Sequence, residues 1–429
     1  MPGISFGPFS LDTSTVRLLR QGTEVKLRPQ AFHALKVLAL RSGRYVDYDC
    51  MIAEAWGGTI VSPHTVDVTV GEVKRTLQEF GSWIQHRPKV GYCLEVPKSD
   101  ELVRRGWHLW NLRTRDSFER ALECFHTAAA ESPTDFRAFE GQAGCYLMLA
   151  SYAMRPGREM YQGFLEAHDR AEALAGLTPE LRFNRAQGLH LFERKLPEAE
   201  AQFRQLTGET TASALAHAGL SMLYSTLGRL DDALECVDAG YTVDPLLPIL
   251  PATEVSVRFW RREYDQAVAR GAEAVELHPY VLLGRAFYAQ ALEYSGRPDE
   301  ALTQYEIGAV TSGDLPWMRA LEGACLVGLG REHDARRMLS RLEARRGSEH
   351  VDAYSMMVLR QALGQTDEAF VELERAIDEN SVWLYALDID PKADALRSDR
   401  RFAQLRRRLS DGDASPRARG TTDRNVDRL

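Results

Sequence analysis

LGRLDDA at 227–233, RREYDQA at 261–267, SGRPDEA at 295–301, LGREHDA at 329–335 and LGQTDEA at 363–369 decide the architecture of most of this chain. Each string ends on an alanine, and Ala199, Ala233, Ala267, Ala301, Ala335 and Ala369 succeed one another every 34 residues. Five residues before each alanine stands a turn position, held by Arg194, Gly228, Arg262, Gly296, Gly330 and Gly364. Seven residues after it small side chains return as Gly240, Ala274, Gly308 and Ala376, and Pro245 and Pro279 follow twelve residues after theirs. A fixed period of this length marks a repeated pair of helices. Glycine ends the first helix of a unit because it accepts the left-handed cap conformation. The small residues let the two helices of a unit cross closely. Coincidental alanines would not carry the turns and prolines along with them.

This pattern resembles the tetratricopeptide repeat. Ala121, Ala128 and Pro133 reproduce the same internal offsets in an earlier unit. The step from Ala121 to Ala199 exceeds two repeats by ten residues, and SYAMRPGRE at 151–159, with Pro156 and Gly157, is the expected insertion. No unit can bury its apolar face alone, so stacking is expected to supply a continuous core and a curved superhelix with a concave groove. The array is assigned to residues 98–410. The polar stretch 411–429 lacks periodic apolar residues and reads as a disordered tail.

Residues 1–97 follow a different rhythm. Short β-type runs at 4–11, 16–19 and 24–26 are separated by turn residues. Helical spacing follows over 30–42 and 47–56, with Asp47 or Asp49 as cap. Ser62 caps a third helix with Pro63 in its first turn. On it Val66, Val70, Val73 and Leu77 recur at one buried face. Residues 83–96 close the domain as two strands around a turn at 88–91. Strands, three helices and a hairpin make a winged helix, so the fold class is mainly α: an α+β winged helix followed by an α-solenoid.

The net charge of -8 argues by itself against nucleic acid. Residues 1–97 nevertheless hold 11 Lys+Arg against 9 Asp+Glu, leaving the remainder at a net of -10. The two parts are therefore expected to meet different partners. Six scattered cysteines without a C-x-x-C pair point to reduced thiols rather than a disulfide framework or zinc site. No apolar run is long enough for a membrane span, and no signal peptide is apparent. A cytoplasmic location without membrane partners is expected.

FGPFSLD, VKLRPQAFHALKVLALRSGRYV, EAWGG, SPHTVDVTVGEVKRTL and IQHRPKVGYCLEV together resemble the OmpR/PhoB-type winged-helix DNA-binding domain. GWHLWNLRTRDSFERALECF at 106–125 and DIDPKADALRSDRRFAQLRRRL at 388–409 resemble the opening and the C-terminal cap of the repeat array in HilA-like regulators, which fuse such a head to repeats. The resemblance implies duplex DNA binding, with the third helix in the major groove and the wing near the adjacent minor groove. Turning the valines inward leaves His64, Thr65, Thr69, Glu72 and Thr76 outward, with Lys74 and Arg75 along the flanks. Lys and Arg there serve phosphates, while Thr, His and Glu reach base edges. Arg87 and Lys89 at the wing tip suit phosphate or minor-groove contact. The sequence departs from the family at Gly71 and Glu72, where Arg is usual, at Thr76, often Lys or Arg, and at Pro88, where the wing usually offers Arg.

The expected function is a sequence-specific transcription regulator, with activation favoured by the resemblance and the array receiving a protein or small-molecule effector. RNA polymerase and a second copy of the chain on DNA are further partners it allows. The alternative is a protein-binding scaffold whose head has lost or repurposed DNA binding. With the winged helix beginning at residue 3, control by a preceding phosphoacceptor domain is not expected. The eleven histidines form no H-x-x-x-H or H-E-x-x-H; His126, His190, His217 and His278 read as ordinary residues of repeat helices. No phosphate-binding or nucleophile motif occurs, so no catalysis, cofactor or metal is expected. Trp107, Trp110, Tyr146, Tyr152, Trp260, Trp317 and Trp383 read mainly as interhelix filler, with Tyr161, Trp107 and Trp110 the best candidates for ligand contact. Arg406, Arg407 and Arg408 read as a solvated face of the last helix.

Overall fold

The computed structural model describes residues 4–7, 9–20, 23–208 and 213–410; the expected tail at 411–429 lies outside the described residues. The chain divides into two compact units. One comprises the residues up to Trp107 with Cys124–Asp135, and the other His108–Glu123 with Phe136 onward.

In the first unit, strands β1 (Ile4–Phe6), β2 (Phe9–Asp12), β3 (Arg17–Arg20) and β4 (Thr23–Val25) form an antiparallel sheet in sequence order. The run 4–11, expected as one strand, doubles back as the β1–β2 hairpin, pairing Ile4 with Leu11 and Phe6 with Phe9. Gly7 makes the reversal at φ +53°, and a Cβ there would lie 2.4 Å from the Trp83 ring. Three helices follow: α1 (Pro29–Leu40), α2 (Tyr48–Ala55) and α3 (Pro63–Thr76). The β5 (Ile84–Arg87) and β6 (Gly91–Leu94) hairpin is the wing. Phe9, Leu11, Phe32, Leu35, Leu38, Val66, Val70 and Val73 share one core. Each such side chain contributes roughly 1.5–3 kcal/mol on burial.

The repeat region runs through α4 (Lys98–Trp110) and α5 (Arg115–Glu131), then α6 (Phe136–Ser151) and α7 (Gly157–Ala175), α8 (Pro179–Leu191) and α9 (Leu196–Thr207), and α10 (Ser213–Thr226) and α11 (Leu230–Val243). It continues as α12 (Ile249–Trp260) and α13 (Tyr264–Leu277), α14 (Leu282–Tyr294) and α15 (Pro298–Thr311), α16 (Pro316–Gly328) and α17 (Glu332–Arg345), and α18 (Ala353–Ala362) and α19 (Thr366–Glu379). The short α20 (Asp394–Arg397) and α21 (Arg400–Ser410) close it. All six periodic alanines are fully buried. The six turn positions all have positive φ, from +54° at Arg194 to +81° at Gly296. Behind five of them the next amide donates to the carbonyl five residues earlier, as from Arg229 to Tyr224 at 2.9 Å and Arg297 to Leu292 at 2.9 Å. That closure satisfies a carbonyl the helix end leaves free. The glycines seven positions beyond the alanines lie against their own partner helix, at His217 and Arg285, and still closer to the next unit. A Cβ on Gly240 would lie 2.6 Å from Leu250, and one on Gly308 3.0 Å from Met318. The expected insertion appears as the break between α6 and α7 and a long α7.

The first helices of five units, α8, α12, α14, α16 and α18, meet one segment of the same chain. Asn380 accepts from Arg194 at 2.8 Å and donates to the Phe192 carbonyl at 3.1 Å, just beyond α8. Tyr385 lies edge-on to His190 of α8 and Trp260 of α12. Lys392 pairs with Glu293 of α14 at 2.9 Å, Trp383 tilts against Trp317 of α16, and Tyr354 of α18 donates to Asp390 at 2.8 Å. Residues 380–397 therefore occupy the surface that stacking of the repeats was expected to leave as a groove. The two turn positions held by Arg rather than Gly, Arg194 and Arg262, are those whose guanidinium groups reach this segment, at Asn380 and at Asp394 (2.9 Å). The left-handed backbone costs a non-glycine residue roughly 1–2 kcal/mol.

Candidate functional site

Helix α3 begins where Ser62 Oγ accepts from the Thr65 amide at 3.3 Å, with Pro63 in the first turn. At 100° per residue, burial of Val66, Val70, Val73 and Leu77 turns the row His64, Val68, Gly71 and Arg75 outward. His64, Thr65 and Arg75 are exposed, and Val68 is 49% exposed at the middle of the row. Gly71 has open space where a Cβ would stand, so this face can approach another surface closely. Thr69 requires a correction. It is buried, and its hydroxyl donates to the Thr65 carbonyl at 2.8 Å; a threonine that satisfies its own hydroxyl can sit beside the valines. Val68, absent from the outward set expected from the sequence, takes the outward place. Its methyl groups suit contact with a thymine methyl.

Glu72 is half-buried and is not a free carboxylate. The Arg28 guanidinium, just before α1, donates to both its oxygens, at 2.8 and 2.7 Å from Nε. Those hydrogen bonds hold its pKa below the usual carboxylate value against the opposing effect of burial. The acidic departure is thus neutralised within the head. Lys74 and Thr76 lie half-buried along the flank, and Arg75 Nε donates to the Gly71 carbonyl at 3.3 Å.

The wing is joined to α3 by Asp67. Tyr48 of α2 and Tyr92 of β6 both donate to its Oδ1 at 2.7 Å. His86 stacks on Tyr92 and sits 3.2 Å from the Tyr48 hydroxyl. Burial raises the Asp67 pKa, but the two phenol hydrogen bonds outweigh it and keep the carboxylate ionised below its ordinary value. Burial, then the Asp67 carboxylate, pushes Tyr92 well up, so it remains a donor. At the wing tip Arg87, Pro88, Lys89 and Val90 are exposed, with Lys89 at φ +65°. Gly91 is required there, because a Cβ would fall 2.0 Å from the Val46 carbonyl oxygen. The helix row and the basic hairpin tip are thus both anchored through one carboxylate.

Residues 22–94 match the family model described as transcriptional regulatory protein, C terminal. The head is a winged helix of the OmpR/PhoB type. The transcriptional activator CadC of Escherichia coli (strain K12) is 28% identical over 100 residues, which are 22% of this chain and 20% of CadC. The chain therefore spans about a fifth of that relative's length. A monomeric mutant of IFIT1 with Gppp-AAAA matches with a TM-score of 0.51 at 12% identity, over 89% of this chain and 90% of its own. A human IFIT1 dimer with PPP-AAAA matches at 0.50 and 15%, over 78% and 80%. These two likenesses are of fold alone. An OmpR/PhoB-type head is thus fused to tetratricopeptide-type helix pairs.

Of the aromatic candidates, Trp260, Trp317 and Trp383 come together with Phe287, Tyr354 and Tyr385 around a chamber of about 40 Å³, room for on the order of a few waters. The others pack individually. Trp107 lies against Phe125, Trp110 against Phe118, and Tyr161 is buried with its hydroxyl donating to Glu193 at 2.6 Å. His190 is buried beside Thr226, and burial pushes its pKa down to about 3. In the last helix Arg406 pairs with Asp388 and Arg408 with Asp378. Among the described residues no helix is long and apolar enough to cross a membrane.

Proposed function

We propose that the head binds specific duplex DNA sites and that the chain activates transcription in the bacterial cytoplasm, with the repeat array receiving a protein or small-molecule effector. The reading rests on one observation: His64, Val68, Gly71 and Arg75 form an outward row on α3, and Arg87 and Lys89 stand exposed on a wing held to the helix by Asp67. In this reading His64, Thr65 and Val68 meet base edges, while Lys74, Arg75, Arg87 and Lys89 serve phosphates. Glu72, tied to Arg28, shapes the edge of the face and carries no base contact.

Effector docking at the array is supported by apolar side chains that recur at unit spacing, Val243 with Leu277 at the ends of α11 and α13 and Leu246 with Tyr280 on the linkers after them, all exposed. Each pair is one period apart, so they share an edge of consecutive units.

Selection of bound DNA from a random pool tests the reading, and a titration against salt quantifies it. If the four cations contact phosphates, log K falls with log salt at a slope of about -3.6, so a threefold rise in salt weakens binding about 50-fold. Failure of the full chain to retain any duplex at low salt would leave only the scaffold function.

A further inference from the structure

His168, Asp169 and Glu172 lie on α7, and their donor atoms fall within 4.8 Å of one another. His168 is 2% exposed, whereas the two carboxylates reach solvent. Its Nε2 stands 3.2 Å from the Leu181 carbonyl oxygen, which can only accept, so Nε2 carries the proton. In the neutral ring the other nitrogen, Nδ1, offers a lone pair, and it is buried without a hydrogen-bond partner. It faces Asp169 Oδ1 at 3.6 Å and Glu172 Oε2 at 3.9 Å. At these separations the carboxylates pair with whatever cation Nδ1 carries, a proton or a metal ion, without a hydrogen bond to it. Three donor atoms lie within 4.8 Å of one another, and a cation among them satisfies the buried nitrogen.

We infer that this cluster is a site for a divalent transition-metal ion, with Zn²⁺ the simplest occupant. Ligands about 2.1 Å from a tetrahedral zinc are about 3.4 Å apart, so small rotations of two exposed carboxylate side chains close the site. One imidazole and two carboxylates suit zinc and its first-row neighbours better than Mg²⁺ or Ca²⁺, which prefer all-oxygen sets. The backbone carbonyl behind the histidine supplies the outer hydrogen bond that fixes tautomer and ring orientation in metal-ligating histidines. Three protein ligands leave a fourth position for water. The histidine and the glutamate are four residues apart, which places them on one face of the helix. The site stands apart from the DNA-binding reading and does not depend on it.

Isothermal titration of the chelator-treated full chain with ZnCl₂ tests the assignment, beside the Asp169→Asn/Glu172→Gln double variant. Both substitutions are at solvent-accessible positions, and a metal-free melting curve matching that of the parent verifies the fold. The expected result is one equivalent bound with micromolar or tighter affinity, weakened at least tenfold in the variant. Co²⁺ should give visible d–d absorption in the parent and not in the variant. The assignment is overturned if the parent binds no zinc at 100-fold molar excess, or if the variant retains affinity within tenfold of the parent.

Discussion

Replacing Asp67 by Asn should loosen α3 and the wing together while leaving the repeat region as it was. The carboxylate accepts from two phenols at 2.7 Å and so joins α2, α3 and β6 at one atom. Hydrogen bonds to a charged group contribute about 1.5–3 kcal/mol each, against about 1 for neutral ones. Neutralising the acceptor of both thus removes roughly 2–3 kcal/mol of local stability. Hydrogen exchange of α3 peptides in the full chain reads this directly, since 1.4 kcal/mol is tenfold; protection should fall about 30- to 150-fold. The pH dependence supplies a second reading. Asp67 has a depressed folded-state pKa, so its stabilisation is present above the unfolded-state value near 4 and is lost as pH falls through the lower folded value. The parent head should therefore lose α3 protection on acidification below about pH 4, and the variant should lose less. Exchange in α3 that stays within threefold of the parent at neutral pH would refute the idea that this carboxylate holds the face together.

Removing Arg28 by Arg28→Ala should free the Glu72 carboxylate and weaken DNA binding several-fold, and adding Glu72→Gln should restore it; retention assays on both variants decide this. Ala267→Leu introduces a large side chain at a fully buried interhelix position and should destabilise the array by about 1–3 kcal/mol or more, measured by urea unfolding. Glu379 is pushed up to about 7 by burial and by the neighbouring Asp352. An acid whose pKa is higher folded than unfolded costs stability as pH rises from its unfolded value through its folded one. Glu379→Gln should therefore raise the midpoint of unfolding at pH 8 by an amount corresponding to at most about 3 kcal/mol, with little change at pH 4.5.

Periodic features of the array were readable without coordinates because they report a constraint repeated at every unit. Wherever helices cross, the alanine must be small, and wherever a unit turns, the backbone must be left-handed; Ala301 and Gly296 report both. The non-periodic features were not readable. Arg194 and Arg262 look like lapses in a glycine pattern until Asn380 and Asp394 are placed beside them. In the head, the amphipathic rhythm of 62–77 located the helix and its valine face correctly, yet it put Thr69 outside. A hydroxyl that donates to its own helix can be buried, and hydropathy alone does not register that. Val68 and Val70 are the same residue type, and only the helical phase set by the rest of the core exposes the first and buries the second. His168 gave no signal by metal spacing, because its partners are two ordinary surface carboxylates and a backbone carbonyl of the next helix.

Local rules acting over a few turns of chain, namely period, cap preference and apolar spacing, were enough to establish a winged helix joined to stacked helix pairs and to point to α3 and the wing. Contacts between residues far apart along the chain had to be seen in three dimensions. Arg28 neutralising Glu72, Asp67 gathering two tyrosines, and residues 380–397 lying against the first helices of five units are of this kind. The reason is physical: periodicity constrains which way a side chain faces, while the charge and hydrogen-bonding of a site depend on which distant partner the packing brings within about 3 Å.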